Sequence, residues 1–209
     1  DDGTMKSVLS YGPEDLENDG SITEVEGVKV APNSETYFHQ VAGQDVPEYA
    51  LTRDKAGNIV GRQEFSHNAN TGLMEKVTSY GKEDLNADGS KKADAEPDSE
   101  TFFHQVAGQD VPEYAFSYDK EGNRVGRQQF SHNDDGTMKS VLSYGPEDLE
   151  SNGAIKEVDG VKVAPNSETY FHQVAGADVP EYALTRDKSG NIVGRQDFTH
   201  NANTGLMEK

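Results

Sequence analysis

The chain has 209 residues, with 38 acidic and 19 basic side chains, a formal net charge of -19, and neither cysteine nor tryptophan. This charge repels nucleic acid and anionic membrane surfaces and favours cations, so we expect neither nucleic-acid binding nor membrane insertion. The absence of cysteine excludes disulfides. The sequence has no run of about 18 apolar residues, the length that would predict a membrane span.

A tandem repeat organises the sequence. Residues 134–209 repeat residues 1–76 with nine substitutions, and a divergent copy lies between them. Units this small bury little core each and depend on their neighbours, so such chains are usually scaffolds and not enzymes. Because the two ends match at corresponding places in the repeat, we expect a segment of a longer array. The predicted units are 1–69, 70–133 and 134–201, and 202–209 is the predicted first strand of a following unit.

Each copy is predicted to form a meander of five short strands. The segments are rich in β-branched and aromatic residues and show no 3.6-residue period. We therefore predict an all-β fold of small β-meander units stacked end to end. The meander crosses from one copy into the next, so adjacent units are expected to share strands or to pack tightly. The strands predicted in the first copy are Met5–Tyr11, Val28–Ala31, Glu35–Val41, Glu48–Arg53 and Ile59–His67.

An acidic loop follows the first strand of each copy. The run Asp15–Glu26 resembles the twelve-residue calcium loop of EF-hand and dockerin-type proteins, with Gly20 at the sharp turn and Ile22 at the apolar anchor. The resemblance implies a Ca²⁺ site in which Ser21 offers its carbonyl, Thr23 acts through water and Glu26 uses both carboxylate oxygens. The implied ligands in this copy are Asp15, Glu17, Asp19, Ser21, Thr23 and Glu26.

The same loop departs from the calcium pattern in the other two copies. In the third copy a lysine, Lys156, takes the ninth position, so we expect a weaker site formed by Asp148, Glu150, Asn152, Ala154 and Asp159. In the middle copy lysines 91 and 92 replace the anchor and a ligand. The remaining candidates there are Asp84, Asn86, Asp88 and Ser90, which would need a further ligand such as Asp94, Glu96 or Asp98.

A plain acidic turn is the alternative to a calcium loop. Asp, Asn and Gly are ordinary turn-forming residues. The segment Ser7–Pro13 before the loop is typical of a strand with a proline break and not of the entering helix of an EF-hand. The resemblance therefore covers the loop alone.

The stretch Phe38–Tyr49 recurs nearly unchanged in all three copies. It is either a ligand-binding face or a β-hairpin in which Phe38 and Tyr49 fill the core while Pro47 shapes the turn. The histidines are expected to be structural, because zinc sites prefer closely spaced ligands or cysteine partners. The candidate binding residues are Phe38, His39, Tyr49, Phe103, His104, Tyr114, Phe171, His172 and Tyr182.

Two turn sequences are predicted to close further hairpins. Asp54–Asn58 combines a glycine that can adopt the left-handed conformation with an aspartate that can accept backbone hydrogen bonds, and Asn68–Gly72 would close the next hairpin. This ladder of hairpins resembles YD-type surface repeats over about a third of each unit.

No nucleophile elbow, phosphate-binding glycine loop or Ser-His-acid arrangement is evident, so we expect no enzyme activity. The favoured function is a structural repeat segment of an extracellular fibre, adhesin stalk or matrix protein, rigidified by calcium. One alternative is a multivalent module that binds glycans or a protein through the Phe-His-Gln to Glu-Tyr face. Another is a filament subunit that assembles with neighbouring copies by strand exchange. The repeat, the acidity and the loop together favour an extracellular or cell-surface location.

Overall fold

The computed structural model describes residues 4–207 and has an all-β fold with 55% strand, as the sequence predicts. Within those residues the helical segments are three single 3-10 turns, at Pro13–Asp15, Lys82–Asp84 and Pro146–Asp148. Residues 1–3 and 208–209 lie outside the described residues. The predicted strand at 202–209 is therefore described only as far as Met207, which forms a single bridge with His200.

The chain divides into two compact units, Asp1–Glu100 and Thr101–Lys209. The predicted repeat boundaries, at 69/70 and 133/134, fall inside these units and do not coincide with their border. Each unit therefore contains a junction between two sequence copies.

The first unit is built on an antiparallel sheet in the order β1-β4-β5-β6-β7. Two short strands, β2 and β3, form a separate hairpin. The bounds are β1 Ser7–Ser10, β2 Glu24–Val25, β3 Val28–Lys29, β4 Ser34–Val41, β5 Gln44–Arg53, β6 Ile59–His67 and β7 Met74–Gly81.

The second unit repeats this arrangement in the order β8-β9-β10-β11-β14-β15-β16, with β12 and β13 as the separate hairpin. The border between the units falls within β8. The bounds are β8 Ser99–Val106, β9 Gln109–Tyr118, β10 Arg124–His132, β11 Met138–Tyr144, β12 Glu157–Val158, β13 Val161–Lys162, β14 Ser167–Val174, β15 Ala177–Arg186 and β16 Ile192–Asp197.

The meander crosses from one copy into the next, which confirms that part of the prediction. In the first unit β6 ends the first copy and pairs with β7 of the second copy, with Phe65 opposite Val77. In the second unit β10 of the second copy pairs with β11 of the third, with Phe130 opposite Val141. Because β11 also pairs with β14, one strand is hydrogen-bonded to two different copies.

The predicted count of five strands per copy is wrong. The first and third copies have a sixth strand, because the predicted strand Val28–Ala31 is shortened to Val28–Lys29 and pairs with Glu24–Val25. Glu26 and Gly27 form the two-residue turn between them with φ of 54° and 80°, the left-handed values that such a hairpin turn requires. The middle copy is four residues shorter here and has no such hairpin.

The sequence predicted that Pro47 shapes the turn of the β4–β5 hairpin, and that prediction is wrong. The turn between β4 and β5 is Ala42–Gly43, with φ of 50° and 78°. Pro47 lies inside β5 at a β-bulge, where the register shifts so that Phe38 faces Pro47 while Tyr37 faces Tyr49. Proline has no amide hydrogen to donate to the ladder, and a bulge is one of the few strand positions that tolerates it.

The core is thin, as the low apolar content predicts. None of the described side chains is more than 98% buried, and most strand residues are half-buried. The buried apolar residues recur at equivalent positions of the copies, so each unit has a row of small clusters and no single large core. They are Val46, Leu51, Leu85, Val111, Phe116, Tyr144, Leu149 and Val179.

Candidate functional site

The acidic loop of each copy is folded as a small hairpin turn. In the first copy the Glu17 amide donates to the Ser21 carbonyl at 2.8 Å and the Gly20 amide donates to the Glu17 carbonyl at 2.9 Å. A β-bridge joins Leu16 to Ile22. Gly20 has φ of 82°, which explains why a glycine is needed at the turn. Equivalent bonds are present in the other two copies.

The loop carboxylates accept hydrogen bonds from the loop itself. Asp15 Oδ2 accepts the Gly12 amide at 2.9 Å and so caps the 3-10 turn. Asp19 Oδ1 accepts the amide and the hydroxyl of Ser21, at 2.9 and 2.7 Å. The Ser21 hydroxyl, and then its amide, lower the pKa of Asp19 because both stabilise the charged form.

Among the described residues the predicted acidic ligands of the first and third copies form no close cluster, whereas Asp84 of the middle copy lies beside Asp98, one of the further ligands that the sequence suggested there. Among residues 4–207, one group of at least three acidic or histidine side chains has ligand atoms within 4.8 Å of one another, and it consists of Glu83, Asp84 and Asp98. Half-buried predicted ligands are Asp15, Thr23, Asp84 and Asp148, and exposed ones are Glu17, Asp19, Ser21, Glu26, Asn86, Asp88, Ser90, Glu150, Asn152, Ala154 and Asp159.

The arrangement of the first loop does not by itself fit a calcium ion. The Ser21 carbonyl is bonded to the Glu17 amide, and Glu26 is at the tip of the β2–β3 hairpin. An ion held as the EF-hand resemblance implies would need the Glu26 carboxylate to be brought from the tip of that hairpin to the loop. Calcium binding therefore stays a prediction that rests on the sequence of the loop.

The acidic loops of the second and third copies pack on the hairpin of the copy before them. Leu85 and Leu149 are 6% and 7% exposed, whereas the equivalent Leu16 of the first copy is 40% exposed. A Cβ placed on Gly89 would lie 2.9 Å from Leu51, and one on Gly153 would lie 2.7 Å from the Phe116 ring. These glycines are therefore required both for the turn and for close packing.

An arginine of the preceding copy fastens each of these loops. Arg62 Nη1 donates to the Gly89 carbonyl at 3.1 Å, and Arg127 Nη1 donates to the Gly153 carbonyl at 2.8 Å. The guanidinium of Arg62 lies 4.1 Å from the centre of the Tyr49 ring, which holds it by a cation-π contact. Its side chain is only 16% exposed, so the hydrogen bond is partly shielded from water.

The middle copy adds an ion pair between copies that the sequence analysis missed. Lys91, which takes the place of the apolar anchor Ile22, lies 2.8 Å from Glu64 of the first copy and 4.8 Å from the centre of the Tyr80 ring. The Glu64 carboxylate raises the pKa of Lys91. The lysine therefore replaces an apolar anchor by an electrostatic one, a role visible only once Glu64 is placed beside it.

The aromatic residues of the candidate binding face are packed against the sheet. Tyr49 stacks on Tyr37 at 4.5 Å between ring centres, and the same stack recurs at Tyr114 and Tyr182. The remaining predicted residues of this face are half-buried, namely Phe38, His39, Phe103, His104, Phe171 and His172. Because one face of each tyrosine ring is covered by an aromatic ring of the neighbouring strand, these tyrosines are poorly placed to bind a ligand by stacking.

The two histidines of each copy come together, a pairing that the sequence did not predict. The ring centres of His39 and His67 are 6.2 Å apart, and equivalent pairs occur in the second and third copies at 5.9 and 6.0 Å. Burial, and then the neighbouring His104, lower the pKa of His132, so this histidine favours the neutral form. The packing of each histidine ring against its partner is consistent with the structural role that the sequence predicts.

No protein-family model and no curated protein matches the chain. Among solved structures it is similar to a protein of unknown function from Bacteroides fragilis, at 10% identity, covering 90% of this chain and 97% of that chain with a TM-score of 0.29. It is also similar to a chain of the TcdB2-TccC3-Cdc42 structure, at 10% identity, with 98% and 14% coverage and a TM-score of 0.22. A chain of the Photorhabdus luminescens Tc holotoxin pore has 10% identity, 97% and 13% coverage and a TM-score of 0.22.

These similarities to Tc toxin chains are weak, and at TM-scores below 0.5 they carry no argument about function. This chain spans only about a seventh of their length. Within residues 4–207, no helix has the length and the apolar character needed to cross a membrane.

Proposed function

We propose that this chain is a non-enzymatic structural repeat segment of an extracellular fibre, adhesin stalk or matrix protein. The observation that carries the proposal is the pairing of strands across copy boundaries. β11 of the third copy is hydrogen-bonded both to β10 of the second copy and to β14 of its own. A load applied to one copy therefore acts on the backbone ladder of the next.

Packing of the acidic loops supports the same role. Each internal loop buries a leucine and accepts an arginine hydrogen bond from the preceding copy, so a copy is stabilised by having a neighbour. Nearest-neighbour coupling of this kind is how repeat proteins gain stability from units that are too small to fold alone. Near-identical copies then extend the array without requiring new chemistry.

The surface chemistry agrees with exposure to solvent and salt. A net charge of -19 keeps such an array soluble and discourages copies from aggregating side by side. The extracellular or cell-surface location and the stiffening by calcium both belong to the proposal. Stiffening by calcium is a separate part of the proposal, because strand pairing and loop packing join the copies through protein contacts alone.

The multivalent binding alternative is less well supported by the packing. Tyr49 lies between Tyr37 and Arg62, at 4.5 Å and 4.1 Å from them. A ring occupied on its faces by its own protein is not an open platform for a sugar or a peptide. The repeated Phe-His-Gln to Glu-Tyr stretch is better explained as the framework of the β4–β5 hairpin and its equivalents.

Hydrogen exchange tests whether one strand really supports two copies. Val141→Pro removes an amide and fixes the backbone inside β11, at a typical cost of about 3 kcal/mol. We expect exchange at least tenfold faster in both β10 and β14. The matched control is Val8→Pro in β1, which pairs only with β4 among the described residues and should affect β4 alone. Unchanged protection of β10 in Val141→Pro would contradict the structural proposal.

A further inference from the structure

Two histidines of the middle copy meet across an intervening strand. His104 lies on β8 and His132 on β10, with β9 between them in the sheet. Their ring centres are nevertheless only 5.9 Å apart, with the ring planes at 68° to each other. The first and third copies have the same arrangement, at 71° and 74°, so the pair is a recurrent part of the repeat.

The strand between each pair carries a buried valine. In the first copy His39 faces Val46, which is 7% exposed. In the third copy His172 faces Val179, which is also 7% exposed. The equivalent valine of the middle copy, Val111, is 6% exposed. The two rings of a pair therefore meet in apolar surroundings that hold little water.

One nitrogen of each ring is buried and has no partner. Among residues 4–207, Nδ1 of His104 and Nδ1 of His132 are shielded from water and make no hydrogen bond. A neutral imidazole can carry its single proton on Nε2, whereas an imidazolium has an N–H group on both nitrogens. Protonation would therefore leave a charged, buried donor without an acceptor, which costs more than leaving the neutral atom unpaired.

The charges around the pair do not offset this cost. Burial lowers the pKa of His132 most, the neighbouring His104 lowers it further, and Asp178 of β15 raises it less strongly. The Asp178 carboxylate already accepts the Met138 amide at 3.0 Å and the Gln173 side-chain amide. The other charged side chains on the adjoining segments are exposed, namely Asp110, Glu113, Asp134, Asp135 and Lys139.

The pair adjoins the turn that joins the second copy to the third. This turn, Asn133–Thr137, directly follows β10. It is closed by the Asn133 amide donating to the Thr137 carbonyl at 2.9 Å and by the Gly136 amide donating to the Asn133 carbonyl at 3.0 Å. A Cβ placed on Gly136 would lie 3.5 Å from the Val106 carbonyl, so the turn packs on the β8–β9 hairpin. Separation of the two rings would pull the turn away from that hairpin.

We propose that the His104–His132 pair is an acid-sensitive latch at the junction between the second and third copies. At neutral pH the uncharged rings pack on each other and hold the turn against the β8–β9 hairpin. In mild acid the rings gain protons, repel each other and release the turn. The His39–His67 pair stands in the same relation to the turn at Asn68–Gly72, between the first and second copies. Mild acid therefore loosens the array at its junctions.

The direction of the pH dependence follows from the protonation state that the folded chain prefers. Because folding lowers the pKa of His132 below its ordinary value of 6.5, the folded state binds fewer protons than the unfolded state near that pH. The stabilisation is complete above pH 6.5 and is lost as the pH falls from there through the lowered pKa. Carboxylates ordinarily titrate near pH 4, so measurements at pH 7.5 and 5.5 report mainly on the histidines.

Amide hydrogen exchange of the full chain, followed by NMR at these two pH values and corrected for intrinsic rates, tests the latch. Protection of the Asn133 and Gly136 amides should fall at least threefold at the lower pH. The matched control is the turn at Asp119–Asn123, at the opposite end of β10, which contains no histidine. It is closed by the same two kinds of bond, from the Asp119 and Gly122 amides, and its protection should not change.

His132→Phe keeps an aromatic ring in the pair but cannot take up a proton, so protection of the Asn133–Thr137 turn should be equal at both pH values. Unchanged protection in the parent, an equal loss in the control turn, or a loss that persists in the variant would each overturn the latch. Titration of the His132 ring by NMR in the parent needs no variant, and a pKa of 6.5 or above would also overturn it. The Val141→Pro test of strand sharing is independent of these results, so the two proposals fail separately.

Discussion

Truncation of one leucine at two equivalent positions measures how much a copy gains from its neighbour. Leu16 and Leu149 occupy the same local sequence, Gly-Pro-Glu-Asp-Leu-Glu, yet they are 40% and 7% exposed. Leu149 lines the cavity between its loop and the hairpin of the second copy, together with Tyr118 and Arg124. The same substitution to alanine therefore removes a buried side chain at one site and a partly solvated one at the other.

The expected magnitudes follow from burial. Truncating a buried leucine to alanine costs about 2–5 kcal/mol, and we take about 3 kcal/mol for Leu149→Ala in this thin core. For Leu16→Ala about 1 kcal/mol is expected, since part of the side chain is already in water. With about 2–4 °C per kcal/mol for a cooperative chain of this size, the melting temperature should fall by about 6–12 °C and about 2–4 °C respectively.

Thermal and urea unfolding monitored by circular dichroism at micromolar concentration would provide the comparison. Leu16 is 40% exposed, so the first copy serves as the internal reference. Because repeat arrays can unfold in stages, the midpoint of each resolved transition should be compared separately. Equal losses for the two variants would refute the claim that the preceding copy, and not the loop itself, buries this leucine.

Three further predictions concern the glycine of the acidic loop, calcium binding and the turn at Asp54. Gly153 and Gly20 have nearly the same φ, 83° and 82°, so the backbone strain of an alanine is the same at both positions. The clash with Phe116 should therefore make Gly153→Ala less stable than Gly20→Ala by about 1–3 kcal/mol in urea unfolding. Equal stability of the two variants would contradict the packing of that loop. If calcium stiffens the array, millimolar calcium should raise the melting temperature relative to chelator. The rise should be smaller in Glu26→Ala than in the control variant Glu24→Ala. A melting temperature that does not respond to calcium would leave strand sharing as the source of stability. Hydrogen bonds from the side chain and the amide of Asn58 lower the pKa of Asp54 below its ordinary value of 3.8, so the charged Asp54 stabilises the fold above that pH and this effect is lost as the pH falls through the lowered pKa. The acid-induced drop in melting temperature should therefore be smaller in Asp54→Asn than in the parent chain. An identical drop would show that this turn does not contribute.

Local features of the fold were predictable because their chemistry is contained in a few adjacent residues. The turn at Asp54–Asn58 forms as expected, with Asp54 accepting the amides of Ala56 and Asn58. The next turn also forms, closed by the Asn68 amide bonding the Leu73 carbonyl. The hairpin at Glu26–Gly27 was missed, although a residue-glycine pair between two valines is a recognisable two-residue turn signal.

Features of the candidate site that depend on another copy were not predictable. Lys91 was interpreted as the loss of an anchor, but it pairs with Glu64, which lies 27 residues earlier in the sequence. Arg62 carries no motif, yet it fastens the following loop through the Gly89 carbonyl. Pro47 was placed in a turn because proline is common there, whereas the register of β4 and β5 puts it at a bulge. Each outcome is decided by strand pairing over a long sequence distance.

The sequence by itself determined the repeat, the all-β fold and the positions of most turns, because alternation, β-branched residues and glycine punctuation act over short ranges. Only the tertiary structure decided which equivalent residues are buried. Leu16 and Leu149 have the same neighbours in sequence and different neighbours in space, since a preceding hairpin lies under the loop in one case and not in the other. Burial at a repeat interface is a property of two copies, so the sequence of one copy cannot specify it.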